Sequence, residues 1–86
     1  ALDYLKIFSE KQIMILGVQV TNYKTQKGKY PLDLNDKFFS NYSKRTFLGT
    51  KIFIDSKDTN CYIHYQSLGG MTASFDVKAK RFIYYD

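Results

Sequence analysis

Cys61 and His64 are the single cysteine and single histidine of this 86-residue chain, so any nucleophilic or metal chemistry would have to start from them. They stand three apart in the β-rich run Cys61 to Gln66, and an odd spacing on a strand sends side chains to opposite faces. That excludes a local Cys–His nucleophilic pair, and structural roles are expected for both. One cysteine forbids an internal disulfide, and one of each removes most Cys/His metal sites. Asp55, Asp58 and Asn60 could offer oxygens to a hard cation from one loop. Their spacing is not that of an EF-hand and Lys57 lies among them, so a solvated hairpin turn is expected. Gly69-Gly70 lacks the Lys-Ser/Thr and the following helix of a phosphate-binding loop, and reads as a turn. No nucleophile, base and oxyanion donors can be assembled, so the expectation is a protein that is not an enzyme and uses no cofactor or metal.

The cationic residues offer binding chemistry. Formal net charge is +5, and eleven of the thirteen cations are lysine. Lys24, Lys27 and Lys29 cluster at one point, and Lys78, Lys80 and Arg81 at another with Tyr84 and Tyr85 nearby. Lysines beside exposed rings suit single-stranded nucleic acid, where charge holds phosphates and rings stack on bases. A basic DNA-binding module is therefore the alternative reading, with Lys78, Lys80, Arg81 and Tyr84 as contacts. Acidic lipid headgroups would suit the same patch. With two arginines and no nucleic-acid motif, solvated cations over core aromatics are the plainer reading.

The elements that position these residues follow from periodicity. A hydrophobic share of 44% is ample for one core in a chain this short. The longest apolar run, Ile13 to Val18, is too short to span a bilayer, and no secretory signal is visible. Residues 1–28 contain no proline and predict one long helix. Leu2, Leu5, Ile13, Leu16, Val20 and Tyr23 fall on one side, interrupted by Ser9, Gln12 and Lys27. Tyr4, Ile7, Met14, Ile15 and Val18 form a second apolar stripe roughly opposite, which one domain's core does not need. At 1.5 Å per residue the helix would reach about 40 Å, so one end is expected to project from the body. Gly28 ends it and Pro31 blocks continuation. Residues 29–50 form a connecting segment in which Asp33 or Asn35 could cap a short helix through Phe38, Phe39 and Tyr42. Residues 51–86 read as strands Lys51–Asp55, Cys61–Gln66, Met71–Val77 and Arg81–Tyr85, with connections so short that neighbours must be antiparallel. The expected class is α+β: a single domain with a long N-terminal helix packed on a three- to four-stranded antiparallel meander.

The helix exit, Val20-Thr21-Asn22-Tyr23-Lys24-Thr25-Gln26-Lys27-Gly28-Lys29-Tyr30-Pro31-Leu32-Asp33-Leu34, resembles the type IV pilin and type II secretion pseudopilin family. Members carry a helix ending in Tyr, a Gly, then Tyr-Pro, followed by a connecting segment and a meander. The resemblance implies a pilin-like structural subunit of a type IV pilus or secretion pseudopilus, with Tyr4, Ile7, Met14 and Val18 meeting neighbouring subunits. It also implies an upstream hydrophobic half-helix anchoring the subunit in the bacterial inner membrane, with which the start at Ala1 is compatible, and cleavage and N-methylation of that precursor. The body would then lie in the periplasm or outside the cell, in a pilus once assembled, serving adhesion, protein transport or DNA uptake. The calcium loop of major pseudopilins and the C-terminal disulfide of many pilins have no counterpart, which implies a minor or divergent member.

Overall fold

The computed structural model describes residues 2–85, apart from the side chains of Leu2, Asp3 and Leu68. Helix α1 (Leu2–Lys27) leads through a 3₁₀ turn (Lys37–Phe39) to β1 (Phe53–Ser56) and β2 (Cys61–Gln66). A second 3₁₀ turn (Leu68–Gly70) precedes β3 (Thr72–Asp76) and β4 (Arg81–Tyr85). The four strands form one antiparallel sheet in the order β1-β2-β3-β4. The α+β class and the meander are as the sequence predicts. The first strand begins at Phe53 rather than Lys51, because Lys51 pairs instead with Arg45 in an isolated bridge.

The helix is continuous and stops where expected. Gly28 takes φ +80°, and its N–H donates to the Lys24 carbonyl at 2.8 Å, closing the last turn. Ile13, Leu16, Val20 and Tyr23 are buried and Leu5 half-buried, while Leu2 of the same stripe lies outside the described residues. Projection of the helix is less than its length suggests. The molecule measures 39 Å along its longest axis, and the sheet accompanies α1 back to Lys6, whose Nζ lies 4.5 Å from the centre of the Tyr84 ring.

The polar interruptions of the buried stripe have separate explanations. Gln12 clamps the connecting segment, its Nε2 donating to the Arg45 carbonyl at 2.7 Å and its Oε1 accepting from the Phe47 N–H at 2.9 Å. Ser9 is fully buried, and its hydroxyl has no hydrogen-bond partner among the described residues. Gly17 lets helix and sheet meet: a Cβ there would stand 2.6 Å from Cε2 of Phe75 on β3.

Alternation sorts the sheet as the strands' sequences require. Ile52, Ile54, Cys61, Ile63, Tyr65, Ala73, Phe75, Val77, Phe82 and Tyr84 face the helix and form or abut the core. Phe53, Tyr62, His64, Ser74, Asp76 and Ile83 face away. The short helix of the connecting segment is a single 3₁₀ turn, and its cap is neither Asp33 nor Asn35. Asp36 caps it, Oδ1 accepting from the Phe38 N–H at 2.9 Å, while Asp33 is used one step earlier to accept from the Asn35 N–H at 2.8 Å. Tyr42 lies beyond it. Phe38 and Phe39 pack on Tyr23, tying the segment to the end of α1.

Candidate interaction surface

The second apolar stripe of α1 finds no partner within the described chain. Tyr4, Ile7, Met14 and Val18 keep 67%, 47%, 50% and 55% of their surface exposed, and Ile15 is equally open. Covering one such half-exposed side chain is worth about 1 kcal/mol. The stripe continues into an apolar groove of about 450 Å³ between α1 and the β3–β4 end of the sheet, lined by Met14, Gly17, Val18, Phe75, Val77 and, at one side, Lys80. The groove exists because Gly17 contributes no side chain where the helix crosses Phe75. No helix of the described residues is long and apolar enough to cross a membrane.

Phe8 and Phe47 extend the exposed surface, and the sequence pattern marks neither. Phe8 sits at the flank of the outward stripe, where periodicity marks neither face. Phe47 is brought to the helix by the Gln12 clamp, a contact 35 residues apart in sequence, and its ring meets Phe8 there.

The basic turn is differently placed. Lys78, Lys80 and Arg81 are exposed around the β3–β4 connection, which Lys80 closes with a left-handed backbone at φ +57°. Tyr84 does not join them. It faces the helix, half-buried, its hydroxyl donating to Glu10 and its ring lying under Lys6. Burial, then the Glu10 carboxylate, raises its pKa far above the ordinary tyrosine value. Its ring is therefore withdrawn from the Lys78, Lys80 and Arg81 cluster that the sequence suggests. The turn itself is rigidly bonded. Asp76 Oδ1 accepts from the Ala79 N–H and from Asn60 Nδ2, each at 2.9 Å, and Asn60 Oδ1 accepts from the N–H groups of Cys61 and Lys78. The Ala79 amide foremost, and then the Asn60 side chain, hold the Asp76 carboxyl below its usual range.

Cys61 is fully buried on the core face, where burial raises its thiol pKa, and His64 lies on the outward face. The outward face does bring Ser74, His64 and Asp55 together. His64 Nδ1 is 2.6 Å from Ser74 Oγ, directly across β2–β3, and His64 Nε2 is 3.6 Å from Asp55 Oδ2. Ser74 is fully buried, so its hydroxyl is out of reach of a substrate. Asp55 also pairs with Lys57 at 3.4 Å, and Asn60 is committed to the Asp76 turn rather than to a common loop site with Asp55. Among the described residues no three His, Cys, Asp or Glu side chains converge. Comparison with protein-family models, with curated proteins and with solved structures found no match.

Proposed function

We propose that this chain is the globular body of a pilin-like structural subunit, non-enzymatic, that assembles with other subunits through the outward face of α1. The observation carrying this reading is that one unbroken helix serves two apolar faces, one seated on its own sheet and the other open from Tyr4 to Val18. A chain this small has few large apolar residues to leave outside, so a row of them along one helix is a surface awaiting protein. The Tyr23…Gly28…Tyr30-Pro31 exit adds the resemblance, and with it membrane anchoring of a longer precursor. The groove beside Val18 gives a neighbour's apolar side chains a concave seat. DNA binding, the alternative, is left with the charge of Lys78, Lys80 and Arg81 once Tyr84 is turned to the helix.

A photo-crosslinking residue at Val18, in cells making the precursor, tests the reading. It should give an adduct with a pilin-like subunit several times more abundant than the same probe at Lys57, exposed in the β1–β2 turn. Equal yields at the two positions, or none at Val18, would remove the assignment.

A further inference from the structure

The end of the molecule built from the first half of α1 and the 45–49 loop carries a feature that subunit assembly does not call for. The Tyr4 and Phe8 rings lie 5.4 Å apart, and Phe8 meets Phe47 edge-on at 5.8 Å. All three are exposed, yet Phe47 springs from backbone that Gln12 holds at two points. Lys11 and Arg45 are exposed in the same two segments, while Lys6 lies over the Tyr84 ring on the sheet side, Lys44 reaches Asn35 and Lys51 lies over Phe53. Among the described side chains of residues 4–12 and 44–51 the one carboxylate is Glu10, and it is taken up by the Tyr84 hydroxyl on the sheet side.

Charge decides between occupants. A second copy meeting this patch with its own would bring two sets of cations together around the rings, and the one carboxylate among the described side chains of these segments, Glu10, is already taken. A surface that is apolar inside and anionic at its rim answers both halves of the pattern, since aromatic rings favour the boundary layer of a bilayer and lysines and arginines its acidic headgroups. We infer that this end of the domain docks on an anionic lipid surface, with Phe8 and Phe47 entering the headgroup boundary and Lys11 and Arg45 meeting lipid phosphates. The inference is independent of subunit assembly.

Vesicle co-sedimentation of the 86-residue chain tests it, using phosphatidylcholine vesicles with and without phosphatidylglycerol. The chain should bind the anionic vesicles, bind them less as salt rises, and leave pure phosphatidylcholine largely unoccupied. Phe8→Ser with Phe47→Ser should weaken binding roughly tenfold or more, from the apolar surface two half-exposed rings can bury. Lys11→Gln with Arg45→Gln should weaken it by about as much, because each neutralised cation gives up its attraction to the acidic headgroups. Lys78→Gln with Lys80→Gln should leave it unchanged. Because the chain has no tryptophan, Phe47→Trp supplies a reporter that keeps the packing, and its emission should shift to the blue when anionic vesicles are added. No binding, equal binding to both vesicle types, an unshifted Phe47→Trp spectrum, or a loss confined to the Lys78/Lys80 variant would each overturn the inference. So would sedimentation showing a dimer that Phe47→Ser dissolves, since a second copy would then cover the rings.

Discussion

At the scale of single residues, Asp76 and Tyr84 make stability depend on pH at opposite ends of the range. The Asp76 carboxylate is bonded only as an anion, so its folded-state pKa lies below the unfolded value near 3.8. Its contribution is whole above about pH 4 and disappears as pH falls through the lowered pKa. Asp76→Asn should therefore be less stable by about 1 kcal/mol at neutral pH, a difference that closes in acid, as urea unfolding at several pH values will show. Tyr84 behaves in the opposite sense, because folding raises its pKa. Its contribution is whole below the unfolded value of about 10 and is lost as pH climbs toward the raised one. Tyr84→Phe should flatten the alkaline limb of the same profile without abolishing it, since burial also raises Tyr65. Neither role could be read from the sequence. Asp76 alternates onto the outward face, where a solvated aspartate is the default, and only the turn that folds Asn60 and Ala79 onto it makes it structural. Tyr84 looked like a ring beside three cations, although strand alternation already placed it on the face opposite Arg81 and Ile83.

At the scale of elements, helix α1 was the most legible, because one stripe and two strong stop signals agree over twenty-six residues. The strands were legible for the same reason: Cys61–Gln66 and Arg81–Tyr85 carry alternation between clear turns, and their bounds coincide with the observed β2 and β4. The connecting segment was not, since Asp33, Asn35 and Asp36 are equally good caps by type and only packing of Phe38 and Phe39 on Tyr23 chooses among them. Gly17 shows how a helix residue of poor propensity is kept by tertiary contact. Alanine would gain up to about 1 kcal/mol of helix propensity. Its methyl would displace the buried Phe75 ring, and overpacking of this kind costs about 1–3 kcal/mol. Gly17→Ala should accordingly lower stability by about 1 kcal/mol in denaturant melts, and a stabilised variant would show that the ring moves aside freely.

At the scale of the whole molecule, α1 seats one apolar face on the domain's own core and leaves the other open, the face proposed to meet other protein. Of the surface so described, Tyr4, Ile7, Met14, Ile15 and Val18 were legible from period alone. The groove and the Phe8–Phe47 contact were not, because both depend on which part of the sheet or loop happens to lie beside the helix. The distinction matters for testing, since Ile7 and Val18 are about half exposed and substitutions there should separate folding from assembly. The most direct measurement pairs Ile7→Asp with Val18→Asp, placed in the membrane-anchored precursor that the resemblance implies, and follows fibre yield while the 86-residue domain is melted in parallel. Two charges on an exposed helix face should change the melt by no more than about 0.5 kcal/mol. Assembly should be abolished, because the charges would be buried unpaired in every subunit contact. Fibre yield equal to that of the unaltered protein, with the domain still folded, would contradict the account.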